Sequence, residues 1–412
     1  MLGEADGSRT IGDILAAHSA ESGDRERILR LLEKLERVGV CLRGEQGLAR
    51  VGRPEWNAPA PPSHGFESIR NIDVALTRKG GGFDPGVSPA AARSADELTP
   101  PQIMAFLTLA LPFCSRDVQL TLLGGEPLVV AGRVLQVAWW AQRHAIRTRV
   151  KTSGGLIDER FAARAGKLDL EVCVTMCGCS EATHDSICGR ESFERALAGV
   201  RKLVSNEVRV ALSVICFEKT VKELSGCFEL AEKLGAHAVR LELPATSTAP
   251  RAEEMKEAGP LEIAREVLGA SERYAAARDL LARATARLAS GDCALLAAGS
   301  SCGTGRTTVL LDAEGSVYAC RGLCAPELRL GNIHQAGFDF HELWTESSEM
   351  ADLRGRTEMG EGKCAGCVIR RWCLGGCRGS AYDETGDLSC VPGDCRERER
   401  AILELMWHVE RE

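Results

Sequence analysis

The amino-acid sequence predicts an α/β protein: an incomplete barrel of six strand–helix units, with a small helical unit ahead of it and a cysteine-rich domain behind it. Three observations lead there. Six β-branched or aliphatic runs alternate with helix-length segments between Ser68 and Pro244, the pattern of a parallel sheet covered on both faces. Six such units suggest a partial barrel rather than a closed eight-fold one. Ten of the 18 cysteines crowd between Cys293 and Cys395, while only Cys41 and Cys114 precede residue 170. The 412 residues, 44% hydrophobic and 26% charged, make two or three ordinary domains that need no disulfide staples.

In chain order, residues 1–50 read as a helical, winged-helix-like unit, because Ile11, Leu15, Ile28, Leu31, Leu32, Leu35 and Val38 recur near helical spacing and Gly39 closes the second helix. The stretch RPEWNAPAPPSHG makes residues 51–66 a linker. The runs IRNIDVAL, VQLTLL, RTRVKT, LEVCVTM, VRVALSVI and AVRLEL supply the six strands of a barrel over 67–245. A second linker, PATSTAPRAEE, leads into a long helical run ending at Leu288, so 246–290 read as linker and helix. Residues 291–412 form the last domain, with short strands around Val309 and Val317 and a closing amphipathic helix in RERERAILELMWHVERE. Trp139-Trp140, on a predicted helix, are expected to pack against the barrel, and lone histidines such as His144 and His237 to be surface residues.

A net charge of −7 argues against nucleic-acid binding, which needs a basic face. No apolar run suits a membrane span, since Leu128 to Ala141 is short and carries Arg133. The start, MLGEADGSRT, has neither a basic nor an apolar signal region, so a cytoplasmic protein is expected. In a reducing compartment, clustered cysteines read as metal ligands rather than disulfides. There is no G-x-S-x-G, P-loop or HExxH to support a hydrolase or NTPase.

The strongest chemical signal is Cys364-Ala-Gly-Cys367, five residues, Cys373, three residues, Cys377. Tight Cys-x2-Cys turns converge two thiolates on one metal, and thiolates suit iron–sulfur clusters or zinc. The run CGTGRTTVLLDAEGSVYAC, then GNI, then CAGCVIRRWCLGGC with Cys395 behind it, resembles the SPASM domain of radical S-adenosylmethionine enzymes. That resemblance implies two auxiliary 4Fe–4S clusters. Cys302, Cys320 and Cys377 would hold one, with Cys293 or its rival Cys324 as fourth ligand. Cys364, Cys367, Cys373 and Cys395 would hold the other, Cys390 competing for the last place.

The middle of the chain resembles the barrel of the same family. LTLLGGEPLV matches its GGEP loop, here Gly124, Gly125, Glu126 and Pro127, which in the family grips the methionyl ammonium of S-adenosylmethionine. KTSGGLID matches a strand-end segment, and VCVTMCGCSEATHDSICGR the fourth strand with its HD loop. The family's Cys-x3-Cys-x2-Cys, which binds the catalytic cluster, is missing: the matching stretch IDVALTRKGGGFDPGV has no cysteine. Cys177 replaces an expected Asp and Cys188 an expected Arg. Cys173, Thr175 and Cys177 would face one way on a strand. Cys173, Cys177, Cys179 and Cys188 match no named metal-site spacing, so packing as small hydrophobes is the favoured reading. His184-Asp185 is expected to shape its loop rather than act in acid–base chemistry. Finally, DGSRTIGDILAAHS with RILRLLEKLERVGVCLRG resembles half of a RiPP recognition element, a unit that binds the leader of a ribosomally made peptide.

These resemblances imply an iron–sulfur protein acting in maturation of a ribosomally made peptide. Its partners would be the precursor peptide and an active radical S-adenosylmethionine enzyme, to which it contributes without catalysis or by electron transfer. The alternatives are an active enzyme with unusual cluster ligation and a zinc-bound peptide-binding subunit.

Overall fold

The computed structural model describes residues 41–44, 47–50, 68–80, 97–244, 255–289, 303–356 and 375–406, with a few single positions between. Most of the N-terminal helical unit, the linker 51–66, Cys293 and Cys302 lie outside the described residues. Beyond Gly39, where the second helix was expected to close, β1 (Cys41–Gly44) and β2 (Gly47–Arg50) form an antiparallel hairpin.

Strands β3 (Ile69–Ala75), β4 (Cys114–Leu123), β5 (Arg147–Thr152), β6 (Leu170–Met176), β7 (Arg209–Ile215) and β8 (Ala238–Glu242) pair in that order, all parallel. Each lies where an aliphatic run predicts it. Between them run α1 (Pro100–Ala110), α2 (Ala131–Arg143), α3 (Glu159–Ala165), α4 (Glu181–Cys188), α5 (Ser192–Ser205), α6 (Glu218–Lys222) and α7 (Leu224–Leu234). Their starts follow from local chemistry. Thr99 and Gln102 form a capping box ahead of α1, while Asp158 and Ser180 accept backbone N–H bonds at the starts of α3 and α4. The predicted long helix is two, α8 (Pro260–Ser271) and α9 (Ala275–Ala289).

Alternation along the strands separates the two faces of the sheet. Ile72, Val74, Leu120, Leu122, Val150, Val172, Val174, Leu212, Val214 and Val239 are buried on one, in a single core with Phe106, Val137, Phe161, Val200 and Phe228 of the helices. Each such side chain contributes about 1.5–3 kcal/mol. Trp140 packs against this core, but Trp139, expected to do the same, is 54% exposed beneath the guanidinium of Arg143.

The C-terminal part continues this sheet. β9 (Thr308–Leu311) pairs in parallel with the free edge of β3, Asn71 opposite Thr308 and Val74 opposite Leu311. β10 (Ser316–Tyr318) and β11 (Gly331–Asn332) add antiparallel. Helices α10 (Ser348–Arg356), α11 (Arg378–Thr385) and α12 (Cys395–Met406) follow, and α12 returns to α8, where Arg265 meets Glu404 at 3.1 Å.

The other face carries charge. Arg149 and Lys151 of β5 stand opposite Glu171 and Cys173 of β6. Glu171 is held by Arg149, by Arg240 Nη2 at 2.6 Å and by His237 Nε2 at 2.9 Å. Lys151, 6% exposed, pairs with Glu242, which also accepts from Ser213 and lies 3.5 Å from Arg321. Burial alone would raise the Glu242 carboxyl, but the charges of Lys151 and Arg321 hold it at about 2; Glu171 is likewise depressed. A depressed carboxyl stabilises the fold above its ordinary range and loses that contribution as pH falls through its folded value. Glu242→Ala should therefore cost about 3–5 kcal/mol near pH 7, because Lys151 stays buried without its main partner. The deficit relative to wild type should shrink as pH falls from about 4.5 towards 2. Denaturant unfolding across that range checks both, and a pH-independent deficit would contradict the electrostatic origin.

Candidate functional site

The C-terminal ends of β3, β4 and β5 converge on the GGEP loop. Gly124 and Gly125 let it lie directly on the segment after β3. A Cβ on Gly125 would sit 2.6 Å from the carbonyl oxygen of Lys79 and 2.8 Å from that of Arg78. Gly125 N–H donates to Thr77 O at 2.9 Å and Glu126 N–H to Lys79 O at 2.8 Å. Pro127, with no N–H to satisfy, opens the turn Pro127–Val130, of which Pro127 and Leu128 are buried. Glu126 is 4% exposed, and its carboxylate accepts four bonds. They come from Leu128 N–H (3.0 Å), Thr152 Oγ1 (2.7 Å), Ser153 N–H (2.9 Å) and Ser153 Oγ (2.6 Å). The carboxylate expected to face a ligand ammonium is thus satisfied by its own chain.

The cysteine-free segment after β3 is latched from the other side. Glu97 accepts from Thr77 Oγ1 at 2.6 Å and Arg78 N–H at 3.0 Å. Arg133 of α2 reaches both Glu97, at 3.3 Å, and Leu76 O. Arg78 also pairs with Glu314 at 2.7 Å, tying the segment to the turn before β10.

At the ends of β6 and β7 the structure regroups the cysteines. Cys173 packs apart from the others with Ala211 and Ala238, and burial pushes its thiol up to about 12. Its thiol also reaches Glu171 at 3.8 Å, on the charged face of the sheet. Cys188 packs against the cluster of Cys177, Ile215 and Phe217, while Cys179 lies against Gly226 beside Cys227 at the start of α7, and Cys173 belongs to neither group. Cys227 had no sequence signal, because helix-to-strand proximity leaves no local spacing to read. His184 is buried and accepts Cys177 N–H at Nδ1, 3.2 Å. Asp185 accepts from Glu191 N–H, Ser192 Oγ and Phe193 N–H, and so shapes the loop into α5 as expected.

The C-terminal cysteines form a different site. Cys364, Cys367, Cys373 and Cys395 line one pocket with Ile369 and Pro392. Cys367 N–H closes a turn on Cys364 O at 3.2 Å, and Cys395 starts α12. Burial pushes the Cys373 thiol up to about 11, opposed by the buried guanidinium of Arg398, which pairs with Asp394. Cys390 lies outside this lining and hydrogen-bonds Asp387 at 3.7 Å. Among the described residues, no three His, Cys, Asp or Glu side chains converge on a point suited to a single metal ion. A 4Fe–4S cube takes its thiolates at separate corners, so four sulfur donors around an apolar pocket fit a cluster better than zinc.

The second predicted set is seen in part. Cys320 accepts from Thr304 Oγ1 at 3.5 Å, and the rival Cys324 directs its thiol to the carbonyls of Cys320 and Arg321. Cys377, exposed, precedes α11, whose Gly379 lies against Gly322: a Cβ there would meet Gly322 O at 2.6 Å. That contact brings the Cys320 and Cys377 segments together.

Comparison with known proteins supplies the context. Residues 302–368 match the SPASM family, an iron-sulfur cluster-binding domain. Mycofactocin maturase MftC of Mycobacterium tuberculosis is 26% identical over 290 residues, 66% of this chain and 70% of that protein. A solved structure of anSMEcpe with bound AdoMet superposes with a TM-score of 0.66 at 14% identity, covering 81% of this chain and 92% of that one. Streptococcus suis SuiB bound to precursor peptide SuiA gives 0.63 at 11% identity, covering 92% and 82%. Cys395 lines the four-cysteine pocket and Cys390 does not. With anaerobically reconstituted protein, Cys395→Ala should lose about half of roughly eight irons, and Cys390→Ala none. Iron and sulfide analysis reads this directly, and the reverse pattern would reassign the ligand.

Proposed function

We propose that this chain, which belongs to the radical S-adenosylmethionine/SPASM family by its fold and its C-terminal domain, acts in maturation of a ribosomally made peptide without cleaving S-adenosylmethionine itself. It binds the precursor peptide and serves an active family enzyme as scaffold or electron-transfer partner. The maturase name of its Mycobacterium tuberculosis relative and the SuiB structure with its precursor peptide support the peptide assignment. Residues 1–50 are read as the peptide-recognition unit, with the β1–β2 hairpin at its end. Residues 67–245 are read as the barrel, 246–290 as connection and 291–412 as the cluster-binding domain. Cys364, Cys367, Cys373 and Cys395 would hold one 4Fe–4S cluster; Cys302, Cys320 and Cys377, with Cys293, would hold the other. Such clusters supply one-electron transfer when bound.

The observation that carries the non-catalytic reading is the latch at the barrel mouth. Thr77 to Gly80 offer no thiolate, and their carbonyls occupy the N–H groups of Gly125 and Glu126. A ligand ammonium reaching for Glu126 would have to displace Thr152 and Ser153. The residues present do not fit the cofactor. Each lost charge-assisted contact costs about 1.5–3 kcal/mol, so losing two weakens affinity at least about a hundredfold.

Accordingly, reconstituted protein with dithionite should form no 5′-deoxyadenosine above a Cys-depleted control. Calorimetric titration with S-adenosylmethionine should show no low-micromolar binding. Low-micromolar affinity lost in Glu126→Ala would restore the cofactor pocket and sink this reading.

A further inference from the structure

Beyond the cluster domain, the four cysteines at the ends of β6, α4 and α7 form two thiol pairs of different character. Cys177 ends β6 with no exposed surface, its carbonyl fixed by Thr220 Oγ1 at 2.6 Å. Cys188 is the last residue of α4 and partly exposed. It lies one helical turn after His184, hence on the same face. His184 uses Nδ1 to accept Cys177 N–H at 3.2 Å, which places the neutral ring's proton on Nε2. Cys188 itself packs against the buried cluster of Cys177, Ile215 and Phe217. The helix that carries one cysteine thus holds the backbone of the other through His184. The surrounding side chains, Ile215, Phe217, Ile187 and Met255, are apolar, and the one nearby carboxylate, Asp185, is turned to the start of α5.

We propose that Cys188 and Cys177 are a dithiol–disulfide couple at the barrel mouth, Cys188 attacking and Cys177 resolving, with His184 positioning both, and that they exchange with a disulfide of a small thiol or a cysteine-containing peptide. In the first step the Cys188 thiolate attacks one sulfur of the external disulfide. That S–S bond breaks, a mixed disulfide forms on Cys188, and the leaving thiolate takes up a proton. In the second step Cys177 gives up its proton and attacks Cys188 Sγ. The Cys177–Cys188 bond forms, and the second external thiol leaves with that proton. Two protein thiols are oxidised by two electrons, and one disulfide is reduced to two thiols.

The division of roles follows from the surroundings. The hydrogen bond from Cys177, helped by His184, lowers the Cys188 thiol to about 5 against the effect of burial. The same bond, with burial, raises Cys177. An accessible thiolate backed by a buried protonated thiol is the arrangement that makes exchange fast and then resolves it. In the second pair Cys227 likewise lowers the partly exposed Cys179 and is itself raised, but a carboxylate stands where the first pair has an imidazole. Glu223 accepts from Cys179 N–H at 3.0 Å and from Ser180 and Thr183, so a carboxylate faces any thiolate at Cys179.

The test uses full-length protein purified anaerobically, equilibrated with graded ratios of oxidised to reduced glutathione and trapped with N-ethylmaleimide. Trypsin releases residues 168–190, with Cys173, Cys177, Cys179 and Cys188, and residues 223–233, with Cys227. The expected first product is an internal loss of two hydrogens linking Cys177 to Cys188, with Cys173, Cys179 and Cys227 still alkylated. Cys177→Ser should stall with glutathione on Cys188, and Cys188→Ser should take none. Iodoacetamide at pH 7 should label Cys188 about tenfold or more faster than Cys173. His184→Gln should move the pH midpoint of that labelling upward without altering the circular dichroism spectrum. A parallel arm with a cystine-bridged peptide identifies the source: faster oxidation than by glutathione assigns the peptide, slower the small thiol. Oxidation that first cross-links residues 168–190 to 223–233, no Cys177–Cys188 bond at any ratio, or metal lost on Cys177→Ser would each overturn the proposal.

Discussion

At the mouth of the barrel the Glu126 carboxylate is out of water and must be satisfied by the chain around it. Its side chain binds the end of β5 through Thr152 and Ser153, while its own N–H and that of Gly125 bind the segment after β3. Three strand ends are thereby fixed at one residue. Glu97 and Arg133 then hold the far side of the same segment, and Arg78 carries the tie onward to Glu314. Each group is held because the group behind it is held, so the mouth is set by hydrogen-bond satisfaction rather than by apolar packing.

The same logic governs the face where charge is buried. Lys151, Glu242, Ser213 and Arg321 form one network, and Arg321 follows Cys320 in the C-terminal domain. The barrel's interior charges therefore help to set the loop that carries a predicted cluster ligand. The cluster pocket is built on the opposite principle. At Cys367 and Cys373 partial burial disfavours a bare thiolate, which a bound metal would stabilise.

Much of this was legible in the sequence. The six strands lie on the six aliphatic runs because parallel strands with a helix-covered face need continuous apolar residues there. The C-terminal cysteines were legible because tight turns demand short spacing. Features made by distant segments were not. Nothing local announces that Thr308 to Leu311 pair with β3, or that Cys227 meets Cys179. Spacing left Cys390 and Cys395 open; of the two, Cys395 lines the pocket with Cys364, Cys367 and Cys373. Trp139 misled because an apolar residue type does not itself fix burial, and the β1–β2 hairpin follows the helix that Gly39 was expected to close, in a stretch with no strand pattern of its own.

The parallel pairing of β9 with β3 has a consequence for how the chain divides. An open sheet presents at its edge a row of unsatisfied N–H and C=O groups that invites pairing with other molecules. On β3 that edge runs through Ile72 and Val74, in the middle of the apolar core, and β9 covers it. A barrel cut away at residue 290 would lose its cover and present a sticky edge to its neighbours. The C-terminal domain thus acts as the barrel's guard against aggregation, and the two belong to one folding unit rather than to separable beads on a string.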